Sequence, residues 1–352
     1  MVRLHVTRER HAARPRRFWS GGSQARFFLH GWLTVCTVAL CTLGLAPSWA
    51  QSPSDYPVKP VKIIAPVAPG GGVDLIARTV AERLTKALGQ SFVVDNQSGG
   101  GGAIASANVA RAPADGHTLL LAYVGTHGTN PAVRKLPYDA VKDFSPIAMV
   151  GGTPNVLVVY PGVPVNDLKA FVAHAKKFPA GLSYGSAGQG TLTHLAMEQF
   201  KLQAQFFSVH VPYRGIGPAF TDLMGGQTQA LFPGLAAALP HIKSGKVRAL
   251  AVTGLKRHPL IPEVPTFAEL GYAGFDGVQW YGIVGPAKLP EKITARLNEE
   301  INKAINNPEL KERLSAEAIQ PMPMSPEAFG QYIRQDIARW TQVAKERRIE
   351  ID

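Results

Sequence analysis

Short apolar runs alternate with amphipathic segments along this chain, and several of the junctions are glycine loops. A strand that feeds a helix and then another strand builds an α/β fold with largely parallel pairing. Residues 61–67 form an apolar run that ends in Pro69-Gly70-Gly71-Gly72. Leu75, Ile76, Val80, Leu84 and Leu88 then recur at helical steps, with Asp74 as N-cap and Gly89 as the stop. The same reading places strands over 92–94, 118–123, 144–160, 181–186, 207–213, 229–232, 247–253 and 279–284. Helices are expected over 103–111, 168–177, 193–202, 218–224, 291–306 and 326–345. Prolines between 259 and 265 mark a surface connection. The order implies two α/β lobes, the first built from 51–157 and 278–352, the second from 158–277. Strand crossings at 156–160 and 277–284 would serve as the hinge of a cleft able to close on a ligand.

The first fifty residues stand outside this pattern. Seven arginines from Arg3 to Arg26 precede an apolar run over 27–45, and Ala46-Pro47-Ser48-Trp49-Ala50 follows. Basic, apolar and small residues in that order read as a signal peptide cleaved near Ala50. A membrane anchor fits less well, because Gly31, Gly44 and Pro47 interrupt the span. Both cysteines, Cys36 and Cys41, belong to this leader, so the remainder has no disulfide, thiolate nucleophile or Cys-bound metal. Seven of the 37 basic and one of the 25 acidic residues go with it, leaving 30 against 24. That modest excess suits an anionic ligand. Nucleic-acid binding would need basic residues clustered on one face, and here they are scattered.

Two segments share the order strand, glycine loop, helix start. One is Ala65 to Asp74 (APVAPGGGVD), the other Tyr184 to Thr191 (YGSAGQGT). Glycines let backbone N–H groups approach a bound group, and a helix start attracts anions, so facing loops of this kind can hold a carboxylate without an arginine. Enzyme motifs fail on particular residues. Gly185, Gly188 and Gly190 are in the wrong order for a dinucleotide loop, and neither loop has a P-loop lysine. A nucleophile elbow around Ser186 would need glycine where Tyr184 stands. The histidines lack metal-site spacing; His194 packs in its helix's first turn and His127 sits on a cleft loop. Tyr213 and Arg214 end a strand and could place a ring and a charge at the cleft.

The sequence resembles the periplasmic receptors of tripartite tricarboxylate transporters, often called Bug proteins. The resemblance runs from Tyr56-Pro57 to the C-terminus, through APGGGVD (68–74), LPYDAVKDFSPI (136–147), YGSAGQGT (184–191) and HVPYRG (210–215). LMGGQTQALF (223–232), GKVRALAV (245–252), PEVPTFAELGY (262–272) and WYGIVGP (280–286) follow in order. It implies an α/β, two-lobed periplasmic-binding-protein (Venus-flytrap) fold with the ligand cleft between lobes. It further implies that a small carboxylate meets Ala68, Gly70, Gly71, Gly72 and Asp74 on one side and Ser186, Gly188, Gly190 and Thr191 on the other, with contacts near Thr126 and His127. Tyr184, His194, Tyr213, Arg214, Pro233 and Gly234 complete the expected site. The chain departs from the family's usual pattern at Pro66-Val67-Ala68, Gln189 and Arg214. The expected partners are a large and a small membrane permease subunit, with the receptor a monomer, no nucleic acid, no cofactor, no metal and no catalytic residue. Two rival readings are a periplasmic hydrolase using Ser186 with His194 or His127, and a loaded sensor for a signalling ectodomain.

Overall fold

The computed structural model describes residues 56–70, 72–178, 182–275 and 277–351. The expected leader, Gly71 and Gly181 lie outside the described residues. The strands are β1 (Val61–Ala65), β2 (Phe92–Asn96), β3 (Thr118–Tyr123), β4 (Phe144–Pro154), β5 (Val156–Val159), β6 (Ser183–Ser186), β7 (Val209–Pro212), β8 (Ala230–Leu231), β9 (Arg248–Val252), β10 (Val278–Pro286) and β11 (Gln320–Pro321). The helices are α1 (Gly72–Leu88), α2 (Ala103–Ala110), α3 (Asn130–Val133), α4 (Leu168–Lys177), α5 (Leu192–Ala204), α6 (Ile216–Met224), α7 (Leu235–Lys243), α8 (Glu291–Asn306), α9 (Pro308–Ala316) and α10 (Pro326–Arg347).

Two sheets result, ordered β11-β4-β10-β3-β1-β2 and β7-β6-β8-β5-β9. Each has a parallel half, with β1 beside β2 and β3 and with β6 beside β7 and β8. The other half is antiparallel: β10 against β3 and β4, β11 against β4, and β5 against β8 and β9. The pairing is therefore mixed rather than largely parallel, because the strands that carry the chain between the sheets return against their neighbours.

The apolar run expected as one strand over 144–160 is two strands in different sheets, broken at Asn155. This residue is buried and locked from three sides. Its amide donates to Thr253 Oγ1 (2.8 Å), its carbonyl accepts from Thr253 N (2.8 Å), and its side-chain Nδ2 donates to Phe232 O (3.1 Å). The Asn155 side-chain amide and the Thr253 hydroxyl thus each satisfy one backbone group, Phe232 O and Asn155 N–H, where the chain changes sheet.

The helices form where their apolar stripes demand it. α8 buries Ile293, Leu297, Ile301 and Ile305, one every fourth residue. Ser325 caps α10 by accepting from Ala328 N, and Asn307 caps α9 by accepting from Glu309 N and Leu310 N. Helix α1 starts two residues before the expected cap, so Asp74 lies inside its first turn. Gly89, at φ 72°, ends it as expected. The core holds Trp280 on β10, fully buried, with its indole N–H donating to Asp336 Oδ2 of α10 (2.8 Å). None of the described helices is long and apolar enough to cross a membrane.

Candidate functional site

Loops from both sheets enclose a cavity of about 660 Å³. Three helix starts reach its wall: α1 at Gly72, α5 at Leu192 and Thr193, and α7 at Ala236 and Ala237 behind its cap residue Gly234. First-turn amides have no intrahelical acceptor and lie at the positive end of the helix dipole, so such starts favour an anion. Leu75, Val124 and Ile216 give the cavity an apolar side, and Thr153, Gln279 and Tyr281 a polar one. Gln279 Nε2 donates to the Tyr281 hydroxyl at 2.8 Å, which orients both side chains.

The first loop is braced by its own acid. Asp74 accepts from Gly70 N (3.0 Å), Arg78 Nε (3.0 Å) and Asn96 Nδ2 (2.9 Å). Burial pushes the Asp74 carboxyl up, but these hydrogen bonds and the Arg78 charge outweigh burial and bring it down to about 2. Asn96 Nδ2 also reaches Val67 O (3.2 Å), tying the loop to the end of β2. Asp74 and Gly70 are therefore neighbours of the cavity already bonded to each other, and the Gly70 amide is engaged. Gly72 is on the wall, whereas Ala68 is exposed and off it.

The second loop spends its amides in a similar way. Ala187 N donates to Thr193 Oγ1 (2.8 Å), Gly188 N to Ser186 Oγ (3.1 Å), and Gly190 N to His194 Nδ1 (3.0 Å). The donors expected of Gly188 and Gly190 are consequently turned inward. The amides of Leu192 and Thr193, at the start of α5, remain for a ligand on this side, next to Thr191. Gly190 serves packing as well as the turn: at φ 72°, a side chain there would collide with Ile351 and Val133.

Several expected contact residues lie behind the wall. Thr126 and His127 are fully buried, with Thr126 Oγ1 bonded to Tyr123 O (3.2 Å) and to His127 Nδ1 (2.9 Å). The His127 ring packs edge-on to Phe144 at 4.5 Å, and burial pushes it down to about 3. Tyr184 is also fully buried and donates to Glu198, which accepts from Lys201 as well (2.5 Å) and pairs with Arg347 of α10. His194 stacks on His210 with centroids 3.9 Å apart and an interplanar angle of 7°. Ser186 Oγ lies 2.7 Å from His210 Nε2, but Ser186 has no exposed surface. Tyr213 donates to Asp222 (2.6 Å), Arg214 is exposed off the wall, and buried Pro233 accepts from Val156 N (2.9 Å). Apart from the exposed Arg214, these positions hold the frame of the cavity rather than its surface, because their polar groups are satisfied by neighbours within the protein.

Residues that sequence reasoning passed over take their place. Gln279 and Tyr281 come from β10, and Ala236 and Ala237 from α7, a helix hidden by Pro240. Thr129, Asn130 and Arg134 come from the wide helical turn after β3 and from α3. The NPAVR segment carries no signal in a single sequence. Among the described residues no cluster of three or more His, Cys, Asp or Glu could hold a metal ion.

Residues 76–349 match the family described as Tripartite tricarboxylate transporter family receptor. Protein BugT of Bordetella pertussis is 35% identical over 320 residues, covering 89% of this chain and 96% of BugT. A solved structure described as a periplasmic transporter is 39% identical, covers 84% of this chain and 100% of its own, and superposes with a TM-score of 0.76. An R. palustris protein solved with adipate is 34% identical over 82% of this chain and 97% of its own, with a TM-score of 0.75.

Proposed function

The chain belongs to the family of tripartite tricarboxylate transporter receptors, and from that premise we propose that it captures a small carboxylate in the periplasm and delivers it to the two membrane permease subunits of such a transporter. The observation that carries this reading is the cavity between the sheets onto which three helix starts open. The carboxylate sits at the first-turn amides of α5 and α1, and the body of the ligand lies along Leu75, Val124 and Ile216. The adipate held by the R. palustris relative supports an acid of this size.

Binding is reversible and involves no chemical step. The nearest thing to a catalytic pair, Ser186 and His210, is closed to substrate by the complete burial of the serine. The lobes in this proposal are 51–157 with 278–352 and 158–277. Closure turns on Asn155 and on the crossing at Gly277, and it presents the loaded face to the permease.

The test is a melting screen of residues 51–352, unfolded and refolded to strip trapped ligand, against carboxylates and their amides. A concentration-dependent rise with an acid, absent with its amide, is the expected result. A flat response across the panel contradicts the reading.

A further inference from the structure

We propose that Arg134 selects for ligands that carry a second carboxylate. The proposal rests on the carboxylate-receptor reading above and deepens it by naming the charge of the ligand and the residue that reads it.

Two arginines line the cavity, and they differ in state. Arg78 is neutralised in place, because its Nε and Nη2 both meet the ionised Asp74 at 3.0 Å. Arg134 follows α3 in extended conformation (φ −150°, ψ 158°) and is half-buried. Among the described residues no carboxylate pairs with it. Its Nε is sealed from solvent with no acceptor, and so is the hydroxyl of Thr129 on the same wall, a residue only 1% exposed. Gly101 stands at φ 66°, where a side chain would lie 3.5 Å from Arg134 Nη1, and Asn130 is fixed by its bond to Gly101 O (2.9 Å). The acid elsewhere on the cavity wall, Glu317, is exposed to solvent.

A half-buried guanidinium on a cavity wall with no counter-charge is unfavourable unless a bound group supplies one. The terminal nitrogens of the guanidinium fork fit a carboxylate with two parallel N–H bonds. A ligand already anchored at the start of α5 therefore meets its second acceptor site at Arg134. A neutral group at that end would leave the cation unmatched.

The test is calorimetric titration with linear diacids from succinate to suberate, each beside its half-amide. The amide keeps the size and removes one charge. The proteins are the wild type, Arg134→Gln and Arg134→Lys. We expect the wild type to prefer at least one diacid over its half-amide by about 10- to 100-fold. Arg134→Gln should abolish that preference, while Arg134→Lys should retain part of it. A preference that survives in Arg134→Gln, or a wild type that never prefers a diacid, overturns the assignment while half-amide binding keeps the receptor reading intact. If no acid of any kind binds, the receptor reading falls, and this inference with it.

Discussion

His194 and His210 lie ring on ring at 3.9 Å, a spacing that two imidazolium cations could not share. Burial, followed by the charge His210 would carry, holds His194 down to about 3, and burial holds His210 down to about 4 although Glu198 pulls the other way. Both rings are neutral in the folded protein at neutral pH, and Nδ1 of His194 is free to accept from Gly190 N. An unfolded chain takes these protons near 6.5, so it binds more of them than the fold between about 4 and 6.5. The stabilisation is complete above that window and is lost as pH falls through it. In chemical denaturation followed against pH, stability should decline below 6.5, and His210→Gln should reduce the slope by about 1.4 kcal/mol per pH unit. An unchanged slope in the variant would mean that His210 is not held neutral. The residue scale is also where the sequence was least readable. The glycine loops announced themselves, but not that Thr193, Ser186 and His194 would occupy their amides, since that depends on rotamers in the first turn of α5. Arg134 sits in no motif that marks it, and only the fold puts it on the cavity wall near Gly101.

Helix α10 shows what one element adds. It packs along β4 and reaches α5 at its far end, where Arg347 meets Glu198. Glu198 also holds Lys201, which is 5% exposed and donates in addition to Ser208 O. Removing the acid leaves a buried ammonium without its counter-ion, whereas removing Arg347 leaves the Glu198–Lys201 pair in place. Glu198→Ala should therefore cost about 3–5 kcal/mol in urea denaturation, and Arg347→Ala about 1 kcal/mol. Equal losses would contradict this division of roles. Most elements were legible because their stripes are regular: the spacing of α8 and the apolar run of β3 leave little choice. The exceptions have local causes. No helix was expected over 235–243, where Pro240 interrupts the pattern, yet α7 brings Ala236 and Ala237 to the cavity. The unbroken apolar sequence around Asn155 concealed the change of sheet, which shows only in the hydrogen bonds that Asn155 makes to Thr253 and Phe232.

At the scale of the whole molecule, the two sheets matter less for themselves than for the space between their loops. A ligand that binds only the folded, closed form couples to global stability. At a free concentration 100 times Kd it should add about 2.7 kcal/mol to the unfolding free energy. The architecture and the two glycine loops could be read before any coordinates, because backbone periodicity and turn chemistry are local. The wall could be read only in part: Gly72 and Gly234 were expected there, but Arg134, Leu192 and Gln279 reach it only through the fold, being far apart in the chain. The most direct measurement is a crystal structure of the protein with the acid that raises its melting temperature most. The account predicts one carboxylate within hydrogen-bond reach of the Leu192 and Thr193 amides, inside this cavity. An acid bound instead in the outer groove between Pro131 and Glu350, with the cavity holding only water, would contradict it.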